Sequence, residues 1–245
     1  MKPGRFGTRS RLLRAGDRPV DEADEPGAAN YSRQSKSVCG ERASREQQES
    51  DRRGRQTTET KIIRISEENQ TEPETLLALA EAGRIIREGG LVAFPTETVY
   101  GLGGDAMTPE SAKKIYAAKG RPSDNPLIVH ISKTEDVKDI ANDIPELFYT
   151  LANKFWPGPM TVVLKKKSII PDATSGGLDT VAIRLPESNI ARALIEVSGV
   201  PIAAPSANTS GRPSPTKASH VFEDMNSKIE MIIDGGEVGI GVEST

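Results

Sequence analysis

Residues 109–131 read PESAKKIYAAKGRPSDNPLIVHI, and they indicate the fold class. Ala112, Ile115 and Tyr116 recur at the spacing of one helical face, so the first half of the stretch predicts an amphipathic helix. The apolar run 127–131 predicts a short buried strand soon after that helix ends. A helix that leads into a buried strand indicates an α/β protein.

The same alternation of helices and strands extends outward from this stretch in both directions. We therefore predict an α/β (α+β) domain with a twisted, mixed β-sheet that is flanked by helices. Thr71 offers an N-cap for the first helix, and Gly89 offers a stop at its C-terminus. The other predicted strands cover 61–65, 91–94, 160–164, 180–185, 201–204 and 229–233, and the other predicted helices lie near 134–140, 145–155, 188–197 and 216–225.

The first 60 residues differ in composition from the rest of the chain. They hold 13 Lys and Arg, 10 Asp and Glu, few large apolar side chains, and the single cysteine of the chain, Cys39. Such a segment cannot bury enough apolar surface to offset its loss of conformational entropy, so we predict a disordered extension over 1–60. Residues 61–245 are predicted to form the folded domain, because they carry nearly all the Ile, Val and Leu.

The charge and the apolar pattern exclude several function classes. Residues 61–245 hold 19 Lys and Arg against 25 Asp and Glu, so bulk charge does not predict general nucleic-acid affinity. No apolar run approaches the ~20 residues that span a bilayer, and the Arg-rich start lacks the apolar region of a secretory signal. One cysteine and two histidines without paired spacing argue against a protein-bound metal site. We expect a cytoplasmic protein without a membrane partner; for residues 1–60, organelle targeting and an extension without function stay open.

Two polar clusters indicate nucleotide chemistry. In Lys119-Gly120-Arg121 the glycine lets the backbone approach a phosphate, Lys supplies a point charge, and Arg supplies a planar fork of donors. Ser206 and Asn208 follow a predicted buried strand and suit the polar edge of a nucleotide. Since no G-x-x-x-x-G-K-[ST] pattern occurs, the sequence favours a nucleotide-using enzyme without a Walker loop.

Polar side chains in other predicted strands extend this candidate site. Thr96 follows one strand and Arg184 lies near the end of another, so we expect both on one rim with Ser206 and Asn208. Arg184 lies between apolar residues and needs a partner, which is either a carboxylate of the protein or one of a substrate. His130 is either a structural histidine satisfied by backbone or a polar contact to a small substrate.

Residues 101–106 read GLGGDA and match the G-x-G-x-x-A fingerprint of dinucleotide-binding proteins. That fingerprint joins a strand directly to a helix, whereas residues 96–100 intervene here and the next helix begins only near Pro109. We therefore predict a turn at 101–106 and no dinucleotide site.

An ordered set of short motifs resembles the YrdC-like family, the L-threonylcarbamoyladenylate synthases, over roughly residues 61–245. Each motif is modest alone, but the set in family order is highly specific. The resemblance implies a YrdC-like twisted mixed sheet with a concave ligand cleft. The motifs are FPTETVYGL at 94–102, KGRP at 119–122, NPL at 125–127, WPGPMT at 156–161, VAIR at 181–184, APSAN at 204–208 and GVEST at 241–245.

The resemblance also implies a nucleotidyltransferase reaction. Members of the family join L-threonine, bicarbonate or CO2, and ATP into L-threonylcarbamoyladenylate and release pyrophosphate, with Mg2+ expected alongside the ATP. A transferase partner then moves the threonylcarbamoyl group to adenosine 37 of tRNA. The implied site residues are Lys119, Arg121, Ser206 and Asn208 as a catalytic, phosphate-binding tetrad, Asn125 and Ala204 as further ATP contacts, and Thr96, His130, Arg184 and Ser244 as threonine contacts.

From their place in a cleft we expect Lys119 and Arg121 to be exposed charges, whose replacement by Ala stops turnover and leaves the fold intact. Two departures from the family pattern are present. Residues 1–60 match nothing in it, and the pattern continues beyond Thr245 with a further strand and an Arg-Pro-Gly segment. We therefore expect a fragment that is incomplete at its C-terminus, with weakened stability or activity. The alternatives to a synthase are an RNA-binding YrdC-like module, in which the cleft contacts RNA directly, and a catalytically weak fragment.

Overall fold

The computed structural model describes residues 59–66, 69 and 72–243. The extension predicted over 1–60 lies almost wholly outside the described residues, as does the predicted threonine contact Ser244. The N-cap predicted at Thr71 is wrong by one residue, because Glu72 is the N-cap of the first helix and makes no side-chain capping bond. The elements in chain order are β1 (Lys61–Arg64), α1 (Pro73–Arg87), β2 (Val92–Pro95), β3 (Tyr100–Asp105), α2 (Pro109–Lys119), β4 (Ile128–His130), a 3-10 helix (Thr134–Asp136), α3 (Val137–Ile140), β5 (Ala141–Asn142), α4 (Glu146–Phe155), β6 (Val162–Lys166), α5 (Asp172–Ser175), β7 (Thr180–Arg184), α6 (Asn189–Ser198), β8 (Ile202–Ala203), α7 (Ala218–Met225) and β9 (Met231–Asp234).

The described strands form one nine-stranded sheet in the order β1-β9-β2-β3-β8-β4-β7-β6-β5. Strands β1, β9 and β2 are mutually parallel, and β4 is parallel to β7. The pairs β2–β3, β3–β8, β8–β4, β7–β6 and β6–β5 are antiparallel. The predicted mixed sheet is therefore confirmed. Among the described residues, we find no helix with an apolar stretch of membrane-spanning length.

The glycine-rich residues 101–105 belong to strand β3, so the predicted turn is wrong. The strand is buried along its whole length and pairs antiparallel with β2, where Gly101 lies opposite Phe94. A Cβ atom on Gly103 would stand 2.7 Å from Cε1 of Phe94 and 2.9 Å from Cγ2 of Ile202. The glycine therefore lets β3 pass closely over the Phe94 ring, which is one recognised reason for glycine inside a strand.

Other predicted elements are present within a few residues of their expected bounds, and the helix predicted from residues 109–119 has those bounds. Two short elements were not predicted, β5 and α5. They have two and four residues, too few to show a strand or helix period in the sequence.

Alternate side chains of the strands enter two apolar clusters on the two faces of the sheet. Phe94 of β2 packs with α1 and α6 in one cluster, while Val129 of β4 and Ile183 of β7 pack with α2, α4 and α7 in the other. His130 and Arg184 alternate with Val129 and Ile183, so their side chains point to the face on which Phe94 lies. The candidate site lies on that face of the sheet, beside β4 and β7.

Candidate functional site

A cleft of about 250 Å3 opens on the face of the sheet beside β3, β4, β7 and β8. Strands β2 and β8 run antiparallel to β4 and β7. The carboxyl ends of β2 and β8 therefore lie at one end of the sheet, and those of β4 and β7 lie at the other. The expectation of a single rim beyond the strand ends is therefore wrong: the cleft crosses the face of the sheet and gathers residues from both ends. Its lining consists of Thr96, Thr98, Val99, Gly101, Arg121, Asn125, Pro126, Ile128, His130, Arg184, Ala204, Pro205, Ser206 and Glu243.

Thr96 forms a tight hydroxyl-centred turn at the end of β2. Its Oγ1 donates to the carbonyl oxygen of Val99 at 2.7 Å and accepts from the backbone N–H groups of Thr98 and Val99 at 3.2 and 3.3 Å. The same oxygen lies 3.0 Å from Oγ1 of Thr98. These bonds satisfy the backbone of a buried loop and fix both threonine side chains at the cleft wall.

Arg184 at the end of β7 is buried and pairs with a carboxylate of the protein. Its Nη2 donates to Oε1 of Glu97 at 2.6 Å and to Oγ1 of Thr98 at 3.1 Å, and its Nε donates to the carbonyl oxygen of Gly158 at 3.3 Å. Two partners were left open for Arg184, a carboxylate of the protein or one of a substrate, and the structure contains the first. Glu97 was not predicted as a site residue, although it lies between two threonines in the motif FPTETVYGL at 94–102.

His130 is fully enclosed within the cleft wall. Burial, together with the positive charge of Arg184, lowers the pKa of His130 to about 3, so the imidazole is neutral at physiological pH. Its Nδ1 is buried and has no hydrogen-bond partner among the described residues. The ring meets that of Phe94 edge to face, with the ring centroids 6.3 Å apart. A buried, unpartnered ring nitrogen beside a cleft suits a polar ligand group.

Lys119, the last residue of α2, lies beneath the cleft rather than on its surface. Only 3% of the residue is exposed, so the expectation of an exposed charge is wrong for this lysine. Its Nζ donates to the carbonyl oxygens of Ser206 and Asn208 and to Oδ1 of Asn208. Burial, and to a smaller extent the charge of Arg121, lowers the pKa of Lys119 to about 8.

Gly120 explains how neighbours in sequence reach different environments. It ends α2 in the left-handed conformation with φ of 63°, where a glycine has no steric penalty. Lys119 thereby stays under the sheet while Arg121, which is half-buried, reaches the cleft. The Arg121 N–H donates to the carbonyl oxygen of Tyr116 at 3.0 Å, which holds the turn.

The loop that follows β8 is fixed from below. Oδ1 of Asn208 accepts a hydrogen bond from the ammonium group of Lys119, and its Nδ2 donates to the carbonyl oxygen of Arg212 at 2.6 Å. Asp224 of α7 accepts the N–H of Thr209 at 2.8 Å and forms an ion pair with Arg212. The loop therefore presents Ser206 on a preorganised backbone, and Ser206 also bridges to β3.

The structure brings most of the predicted site residues to one place. Asn125 reaches the cleft as an exposed residue whose carbonyl oxygen accepts the hydroxyl of Tyr116 at 2.7 Å. Lys119 and Asn208 support the lining from behind, and Ser244 lies outside the described residues. Glu243, next to Ser244, lines the cleft and was missed. The predicted residues that line the cleft are Thr96, Arg121, Asn125, His130, Arg184, Ala204 and Ser206.

Comparison with known proteins places this geometry in a family. The Sua5_yciO_yrdC family model, described as "Telomere recombination", matches residues 84–245. Threonylcarbamoyl-AMP synthase of Pyrococcus abyssi is 60% identical over 164 residues, which cover 67% of this chain and 48% of that protein. Threonylcarbamoyl-AMP synthase of Bacillus subtilis is 56% identical over 171 residues, which cover 68% of this chain and 49% of that protein. The chain thus spans about half the length of these curated relatives.

Solved structures agree with the sequence relatives. The crystal structure of P. abyssi Sua5 complexed with L-threonine matches with a TM-score of 0.73 and 56% identity, over 76% of this chain and 53% of that one. E. coli YciO matches with a TM-score of 0.65 at 20% identity, over 74% of this chain and 86% of that one, and shares the fold. Because the family model covers well over half of the sequence, this chain belongs to the Sua5/YciO/YrdC family.

Proposed function

We propose that this protein is an L-threonylcarbamoyladenylate synthase. The observation that carries the proposal is the convergence of Arg121, His130, Arg184 and Ser206 on one cleft of about 250 Å3. Two relatives are threonylcarbamoyl-AMP synthases, and P. abyssi Sua5 forms a complex with L-threonine; both findings support the same reaction. The reactants are L-threonine, bicarbonate or CO2, and ATP, and the products are threonylcarbamoyl-AMP and pyrophosphate.

The Arg184 side of the cleft suits the amino acid. A guanidinium group binds carboxylates through its planar donors, so Arg184 takes the threonine carboxylate in this proposal. The neutral imidazole of His130, whose Nδ1 has no partner among the described residues, offers a polar contact to the ammonium or hydroxyl group of threonine. Thr96 belongs to this group by the family resemblance, since its hydroxyl is already bonded to Val99 and Thr98. Ser244 belongs to this group by the family resemblance alone.

The opposite side of the cleft suits the nucleotide. Arg121 and the Ser206 hydroxyl face the phosphates in this proposal, and Asn125 and the backbone at Ala204 face the nucleoside. Lys119 and Asn208 act from beneath, since the ammonium is hydrogen-bonded to the loop that carries Ser206. Its positive charge still strengthens the local potential for a triphosphate.

The chemistry follows from two anionic reactants held in one site. The threonine ammonium first loses a proton to solvent, and the free amine then adds to CO2, or to bicarbonate with loss of water. A second N–H proton leaves to solvent or with that water, and an N-carboxylate forms. A carboxylate oxygen then attacks the α-phosphorus of ATP, the bond to the β-phosphate oxygen breaks, and pyrophosphate leaves. Positioning of the two reactants and fixed positive charge supply most of the rate enhancement. No covalent nucleophile is therefore needed, and Ser206 binds the phosphates without reacting with them.

Mg2+ enters this proposal with the ATP rather than as a resident metal. Among the described residues no group of three or more His, Cys, Asp or Glu side chains is arranged to hold a metal ion. Glu243 is the one carboxylate among the described lining residues, and a single carboxylate plus phosphate oxygens is an arrangement that Mg2+ accepts.

The partner in this proposal is a transferase that acts on tRNA and consumes the adenylate. Direct contact of the cleft with RNA is a separate alternative.

An omission assay tests the proposal. Pyrophosphate release is measured from ATP and Mg2+ with L-threonine and bicarbonate, leaving out one reactant at a time. The proposal predicts release only when all are present. Pyrophosphate release that does not depend on threonine would contradict the proposal. So would no release together with RNA binding that weakens steeply with salt, and that result would favour the RNA-binding alternative.

A further inference from the structure

Glu97 contacts Arg184 and Glu187 through its carboxylate and Ile240 through its backbone carbonyl. Its Oε1 lies 2.6 Å from Nη2 of Arg184, and its Oε2 accepts the backbone N–H of Glu187 at 3.1 Å. Its carbonyl oxygen accepts the N–H of Ile240 at 3.1 Å. The side chains of Glu97 and Arg184 are 10% and 4% exposed, so their attraction is weakly screened by solvent.

These contacts define the orientation of the guanidinium group. Nη2 of Arg184 donates to Glu97 and to Thr98, and Nε donates to the carbonyl oxygen of Gly158. A guanidinium is planar, so fixing two of its nitrogens also fixes the direction of the third. Nη1 makes no hydrogen bond to the other described residues, and Arg184 lines the cleft. The protein thus holds one side of the group and leaves the other to a ligand.

We propose that Glu97 is a positioning residue for recognition of the amino-acid substrate. It fixes Arg184 so that Nη1 meets the substrate carboxylate, and it does not itself contact the substrate. This inference rests on the proposed function, in which Arg184 binds the threonine carboxylate. Loss of the Glu97 carboxylate would let the long Arg184 side chain change its orientation, which weakens threonine binding and leaves ATP binding unchanged.

Glu97→Gln tests the inference with little change in side-chain volume. We expect the KM for L-threonine to rise roughly tenfold or more while the KM for ATP stays within about twofold. Calorimetric titration with L-threonine should show the same loss of affinity without turnover. Glu187→Gln is the matched control, because only its backbone N–H contacts Glu97, and it should leave both KM values unchanged.

A double-variant cycle tests whether Glu97 acts through Arg184. Once Arg184→Gln has removed the guanidinium, adding Glu97→Gln should raise the KM for threonine no further. Additive effects of the two substitutions would overturn the inference. So would tighter threonine binding by Glu97→Gln, since that result would make Glu97 a competitor of the substrate carboxylate.

The outcomes also separate this inference from the proposed function. A wild-type protein that neither binds threonine nor releases pyrophosphate in response to it would overturn the proposed function. A wild-type protein that does both, with an unchanged threonine KM in Glu97→Gln, would overturn the positioning role alone. If Glu97→Gln lost its cooperative melting transition, Glu97→Asp would replace it, with the same selective rise in the threonine KM expected because its shorter side chain cannot keep both contacts.

Discussion

The Nζ atom of Lys119 lies 2.8 Å from the carbonyl oxygen of Asn208 and 3.2 Å from its Oδ1. A third hydrogen bond joins the same ammonium group to the carbonyl oxygen of Ser206. Three protein acceptors match the three donors of a lysine ammonium group. Lys119 therefore ties the end of α2 to the loop after β8, and the stability of that loop depends on it.

Lys119→Ala and Arg121→Ala should both abolish threonine-dependent pyrophosphate release but should differ in stability. Removing Lys119 leaves buried carbonyl oxygens without a donor, so we expect the free energy of unfolding to fall by about 1–3 kcal/mol. Arg121 is half-buried and lines the cleft, and its removal should leave the Tm unchanged. Thermal melting of the two variants checks this, and equal Tm values would contradict the buried, bonded position of Lys119.

The activity should fall as the pH rises through about 8, because burial lowers the pKa of Lys119 from 10.5 to about 8. Between these two values the unfolded chain binds the proton more strongly, so this group makes the folded state more stable as the pH rises. Activity and stability should thus change in opposite directions above pH 8. Measurements of kcat/KM for ATP and of Tm against pH test this.

Lys119→Arg is the control for that profile, because an arginine stays charged throughout the range. Whatever the absolute rate of the variant, its plot of kcat/KM for ATP against pH should show no inflection near pH 8. An identical inflection in the variant would show that another group is responsible.

Arg184→Ala should destabilise the protein strongly, by about 3–5 kcal/mol, because it leaves the buried carboxylate of Glu97 without its partner. Replacing both residues by Gln should cost less than Arg184→Ala alone, since no buried charge then remains unpaired. Lys133→Ala is a matched control, as it breaks an exposed ion pair with Glu196 and should not change the Tm. Denaturant unfolding gives the comparison, and a double variant less stable than Arg184→Ala would contradict it.

Gly103→Ala should destabilise the protein by about 1–3 kcal/mol, because the new methyl group would overlap Phe94 and Ile202 at 2.7 and 2.9 Å. Gly101→Ala, two residues earlier on the same strand, meets its neighbours at 3.4 Å and should be tolerated better. Urea unfolding of the two variants checks this difference. Equal midpoints would mean that close packing against Phe94 is not the reason for Gly103.

The fold class was predictable where the apolar period was strong. Residues 109–119 show a helical face clearly enough for both ends of α2 to be predicted. Strand β3 was not predicted, because its glycines lack the side chains from which a strand period is read. Their purpose is evident only from the Phe94 ring on the neighbouring strand.

The site residues were predictable by type but not by environment. Arg184 between apolar neighbours already indicated a buried charge, yet its partner Glu97 lies 87 positions earlier in the chain. The acceptors of Lys119 lie 87 and 89 positions later. Pairings of this kind depend on the order of the strands in the sheet, which local patterns do not encode. The burial of Lys119, and hence its lowered pKa, could not be derived from its own segment.

In the proposed function, the cleft links the carbon of bicarbonate to the threonine nitrogen and joins the resulting carboxylate to AMP. The most direct measurement is mass spectrometry of the nucleotide product formed from ATP, L-threonine and 13C-labelled bicarbonate. We expect labelled threonylcarbamoyl-AMP, formed in an amount equal to that of pyrophosphate. Threonyl-AMP without the label, or AMP and pyrophosphate formed without threonine, would contradict it.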